Sequence, residues 1–76
     1  MRAKVIEVNF SSNKNWLFKL QTSDGDECFI MSESKYKELN LKSPVNRSML
    51  DGTDVGSSFV VSTIDASGIK IVTSAR

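Results

Sequence analysis

The sequence predicts an all-β chain, a small five-stranded Greek-key barrel with a short helix or loop between strands 3 and 4. Two observations carry this. Short apolar runs rich in Val, Ile, Phe and Thr alternate with polar residues and are separated by turn residues such as Asp24-Gly25 and Ser67-Gly68. One stretch, residues 32–40, breaks this pattern and takes a polar, helix-compatible composition.

The elements follow in order. Ile6, Val8 and Phe10, with Glu7 and Asn9 between them, give a first strand with one apolar face, ended by the turn-rich Ser11-Ser12-Asn13. A second strand covers about 16–21 and a third about 27–31. Asp24-Gly25 between them is a hairpin signal, because glycine takes positive φ without a Cβ clash. In residues 32–40, Ser32 or Ser34 is the expected cap. Tyr36 and Leu39, three apart, can pack inward together, whereas Tyr36 beside Lys35 and Lys37 also reads as ordinary helix surface. Residues 41–52, with Pro44, Asn46, Ser48 and Asp51-Gly52, read as loop. Strand character returns over 58–64, the turn Asp65-Ala66-Ser67-Gly68 follows, and 69–73 form the last strand. There is no internal repeat or linker, so residues 1–76 are read as one small β-barrel domain. A helix after the third strand favours an OB-fold-like barrel over an SH3-like one.

Composition narrows the function. Ten basic residues face nine acidic ones, a net charge of +1, so no global field draws the protein to duplex nucleic acid or anionic lipid. The chain has one cysteine and no histidine, which excludes an internal disulfide and removes the commonest general base and metal ligand. No apolar run approaches the roughly eighteen residues of a membrane span, and the N-terminus lacks the apolar block of a signal peptide. A cytoplasmic protein without a cofactor is expected.

The hairpin of strands 2 and 3 is the informative part. Lys14, Trp16, Phe18 and Lys19 are followed by Phe29 and Met31. Rings interleaved with lysines on a sheet suit unpaired bases, each stack contributing about 1–3 kcal/mol. Burial makes the opposite argument for strand 2. Trp16, Phe18 and Leu20 form its more apolar face and belong in the core, while Leu17, Lys19 and Gln21 form the other. On strand 3 the alternation puts Cys28 and Ile30 inside and Phe29 and Met31 outside. Cys28 is then an inert core residue. Asp24, Asp26 and Glu27 read as solvated turn acids, and the Ser pairs at 11–12 and 57–58 have no base to activate them.

On these motifs the chain resembles a divergent cold-shock domain. That family carries a strand motif close to Lys-Gly-Phe-Gly-Phe-Ile, then an Asp-Gly hairpin and a motif close to Asp-Val-Phe-Val-His-Phe. Lys14, Trp16 and Phe18 match the lysine and both rings of the first motif. Asp24-Gly25 matches the hairpin, and Glu27, Cys28, Phe29 and Ile30 match the start of the second motif. Leu50-Asp51-Gly52 with Val55 and Phe59 resembles the family's approach to strand 4. Asn15 and Leu17 replace both motif glycines, and Met31 and Ser32 replace its last His and Phe. The resemblance implies non-enzymatic binding of single-stranded RNA or DNA through a sheet face bearing Lys14, Trp16, Phe18, Lys19, Phe29 and Met31. The competing expectation is a small protein-interaction or inhibitory module that docks on a larger protein. The near-neutral charge and the pair Met31 and Phe29 support it.

Overall fold

The computed structural model describes residues 1–12, 15–44 and 52–76. The expected segments 13–14 and 45–51, with Lys14 and the Leu50-Asp51 motif, lie outside the described residues. The elements are β1 (Arg2–Ser12), β2 (Asn15–Thr22), β3 (Glu27–Met31), α1 (Glu33–Glu38), β4 (Ser58–Ala66) and β5 (Ile69–Ala75). The strands close in the order β1-β2-β3-β5-β4, with β4 paired back to β1. All pairings are antiparallel except β3 with β5. This is the OB-fold-like barrel the sequence predicts, with the helix after the third strand.

Closure of so few strands requires a long, bent strand shared by two neighbours. β1 serves this role. Its first residues pair with both β4 and β2, and its later residues pair with β2. The bend coincides with a register shift between Val5 and Glu7, where Ile6 is the extra residue. The shift also inverts the face of the strand, which corrects the single apolar face expected of Ile6, Val8 and Phe10. Ala3 and Val5 point inward before the bulge and Val8 packs on the core after it, while Ile6 is 40% and Phe10 59% exposed.

The barrel interior holds Ala3, Val5, Trp16, Phe18, Leu20, Cys28, Ile30, Val61 and Val72. Trp16 and Phe18 are 5% and 3% exposed, and their ring centroids lie 4.9 Å apart in a tilted pair. β4 and β5 meet in a two-residue turn, Ser67 and Gly68, both at positive φ (52° and 81°). That is the turn geometry whose twist matches a β-ribbon.

A second apolar cluster lies on the other face of the sheet. Leu17, Phe29 and Met31, with Ile71 and Ala66, pack against Tyr36 and Leu41 from the α1 segment. The end of α1 explains how Leu41 reaches this face. Asn40 takes a left-handed conformation (φ 58°), its amide donates to the Lys37 carbonyl, and the Leu41 amide donates to the Tyr36 carbonyl at 2.8 Å. These are the paired bonds of a Schellman C-cap, with Leu41 and Tyr36 supplying the apolar contact that accompanies it. Ser32 occupies the N-cap position, and its hydroxyl lies 3.2 Å from that of Ser34. Leu39 is 40% exposed, so the inward pair is Tyr36 with Leu41 rather than Tyr36 with Leu39.

Tyr36 is fully buried, not helix surface. β3 and β5 share a single ladder pair, Phe29 with Ile71. The Tyr36 hydroxyl donates to the Val72 carbonyl one residue further along β5. A helix side chain thereby satisfies a strand group at the seam where the barrel is least well paired. Burial pushes the Tyr36 hydroxyl up to about 12, opposed by the Met31 backbone amide and reinforced by Cys28. Burial likewise raises the Cys28 thiol, as expected of an unreactive core cysteine.

Candidate functional site

Side chains that leave the barrel from β1, β2 and β3 form one outer surface. On β1 these are Arg2, Lys4, Ile6 and, past the register shift, Glu7. On β2 they are Lys19 and Gln21, and on β3 Glu27 and Phe29. Register places them in rows: Lys4 lies opposite Gln21 and Gln21 opposite Glu27, and Glu7, Lys19, Phe29 and Ile71 form the next row.

Of the residues the sequence singles out, Lys19 and Phe29 are neighbours on this surface. Phe29 is half-buried, one side against the Met31–Tyr36 cluster. Lys19 Nζ lies 2.6 Å from Glu27 Oε2. That pair is partly exposed, so it contributes little stability, but it neutralises the lysine nearest the ring. Lys14 lies outside the described residues.

Trp16, Phe18 and Met31 do not line the surface. The resemblance places Trp16 and Phe18 on the binding face, and the structure corrects this. The family's inward glycines are Asn15 and Leu17 here, so Trp16, Phe18 and Leu20 fill the interior instead. Met31 does leave the barrel on the expected side, but at 9% exposure it is covered by the α1 segment. The exposed Met31 and Phe29 patch expected of an interaction module is therefore reduced to part of Phe29.

Sequence reasoning missed Phe10. It lies opposite Trp16 near the far end of β1 and is 59% exposed, the largest exposed aromatic side chain among the described residues. Its position just before Ser11-Ser12 was the available signal, since a ring beside a hairpin turn lies beyond the end of a small barrel. Arg2 and Lys4 were also passed over, as parts of a charged start.

Lys70 Nζ lies 3.1 Å from Asp26 Oδ2, tying β5 to the β2–β3 turn, and this bond raises the Lys70 ammonium above its ordinary value. No group of three or more His, Cys, Asp or Glu side chains among the described residues is placed to hold a metal ion. The class defined is a small OB-fold-like barrel with a cationic β1–β2 surface and a partly covered ring on β3. No protein-family model, curated protein or solved structure matches the chain.

Proposed function

We propose that this protein is a non-enzymatic binder of single-stranded RNA or DNA, which it holds across the outer surface of β1, β2 and β3. One observation supports this above the others: Arg2, Lys4, Lys19 and Gln21 share that surface with the half-exposed ring of Phe29. Barrels of this strand order present the strand 2–3 face and the β1–β2 loop to oligonucleotides. Phe10 stands at the root of that loop, at the barrel rim on the side of its register partner Trp16, so Phe29 stacks a base on the strand face and Phe10 one at the loop, with the cations meeting phosphates. Two partly available rings and a few lysines make a moderate binder whose affinity falls gently with salt.

The test is fluorescence anisotropy of labelled oligo-dT and oligo-U over a range of lengths. Phe29→Leu keeps apolar packing against Met31 and removes the flat ring. One lost stack of about 1–3 kcal/mol corresponds to roughly 5- to 150-fold weaker binding. Phe10→Ala should weaken binding in the same way. Unchanged binding by both variants sinks the assignment of this face. No binding of any oligonucleotide by the wild type sinks the function and leaves the interaction-module reading, which Ile64 and Ile69, 39% and 43% exposed on the β4–β5 hairpin, then support.

A further inference from the structure

Where β1 and the end of β2 meet the start of β4, the outer surface sinks into a groove of about 340 Å³. Arg2, Lys4, Ile6, Gln21, Ser23 and Ser58 line it. Building on the nucleic-acid reading above, we infer that this groove is a nucleotide subsite: Arg2 and Lys4 hold successive phosphates of the strand, and one base lies against Ile6 and Gln21.

Several features argue for it. The volume falls at the lower end of the range for small-molecule sites, as a single nucleotide requires. The wall is mainly apolar, and Ile6 joins it from the same side of β1 as Arg2 and Lys4. Arg2 and Lys4 stand two residues apart on one strand and leave on the same side, about 7 Å from each other along it. That spacing suits adjacent phosphates of an extended strand.

The charges in the groove are also uncompensated. No carboxylate lines it, and neither Arg2 nor Lys4 forms an ion pair among the described residues. Lys19, Lys35 and Lys70 are each bridged, to Glu27, Glu38 and Asp26. Two unpaired cations, Arg2 and Lys4, therefore stand beside the apolar wall. Gln21 donates from Nε2 to the Gly25 carbonyl, a long contact at 3.4 Å, so Oε1 is the atom it presents to a base amine. The groove continues the Lys19 and Phe29 surface through Gln21, which extends the track by one nucleotide past Phe29.

The experiment compares wild type, Arg2→Gln/Lys4→Gln, Ile6→Ser and Lys42→Gln by anisotropy with labelled oligo-dT and oligo-U at several salt concentrations. All these side chains are exposed, and unchanged Trp16 emission and urea midpoint check the fold of each variant. The double variant should bind at least tenfold more weakly, and its salt slope should be shallower by about 1.4, the contribution of two single-strand phosphate contacts. Ile6→Ser should weaken binding a few-fold with an unchanged slope. If the wild type binds and the double variant behaves like Lys42→Gln, the subsite is overturned and the β2–β3 surface stands. If the wild type binds neither oligonucleotide, the subsite and the functional reading fall together.

Discussion

Tyr36 permits a quantitative test of how this barrel closes. Its hydroxyl is fully buried and donates to the Val72 carbonyl beside the single β3–β5 ladder pair. Tyr36→Phe keeps the ring and removes the donor, leaving a buried carbonyl without that partner. Such a loss costs about 1–3 kcal/mol. In a domain of this size each kcal/mol lowers Tm by roughly 4–8 °C.

The same group gives an independent readout in alkali. Its folded value of about 12 lies above the ordinary 10.0, so the folded state favours the neutral hydroxyl. The stabilisation is complete below pH 10 and is lost as pH rises through 12, because the unfolded chain releases its proton first. Two units amount to about 3 kcal/mol. Lysines also titrate in this range, but the wild type and Tyr36→Phe share them, so the difference between the two belongs to Tyr36. The chain has one tyrosine and one tryptophan, so tyrosinate absorbance reports Tyr36 alone and Trp16 emission reports unfolding. Urea unfolding at pH 7 and at pH 11 should show the gap between wild type and Tyr36→Phe shrinking with pH. A Tyr36 that titrates at its ordinary value in a folded protein, or a Tyr36→Phe variant as stable as wild type, would refute this account of the seam.

Three other outcomes are expected. Trp16, at 5% exposure, should emit at short wavelength and change little when oligonucleotide is added, while binding is followed through the labelled strand. Ile30→Ala, in the barrel interior at 0% exposure, should destabilise by about 2–5 kcal/mol in urea titrations, a large fraction of what a domain this small has. Asn40→Gly should raise stability by a few tenths of a kcal/mol, because the Schellman cap holds this residue at φ 58°, whereas Asn40→Val should destabilise and loosen Leu41 from the sheet.

Much of the fold was legible because the relevant signals are local. Turn chemistry placed both hairpins: Gly25 sits at φ 92° in the β2–β3 connection, and Ser67-Gly68 makes the β4–β5 turn. Alternation placed Cys28 and Ile30 inside and turned Phe29 out. The candidate surface was only partly legible. Lys19 and Phe29 were found because they lie on regular parts of strands paired in simple register. Arg2 and Lys4 were passed over as a charged start, and Ile6 was given the wrong face because the register shift after Val5 breaks the alternation it would share with Val8 and Phe10. Trp16 and Phe18 were ambiguous because their strand offered two self-consistent faces, and only the volume to be filled inside the barrel separates them.

The sequence by itself determined the strand and turn order, the place of the helix and the inward facing of Cys28 and Ile30, since each depends on periodicity within a few residues. The tertiary structure alone decided three matters. It set where β1 bends to join β2 and β4, which put Ile6 and Val8 on opposite faces, and where the barrel ends, which left Phe10 exposed. It folded the α1 segment over Met31 and half of Phe29. It carried the Tyr36 hydroxyl to a carbonyl thirty-six residues away. Each depends on contacts between segments distant in the chain, and these are settled by barrel closure and by the need to cover apolar surface and satisfy buried polar groups.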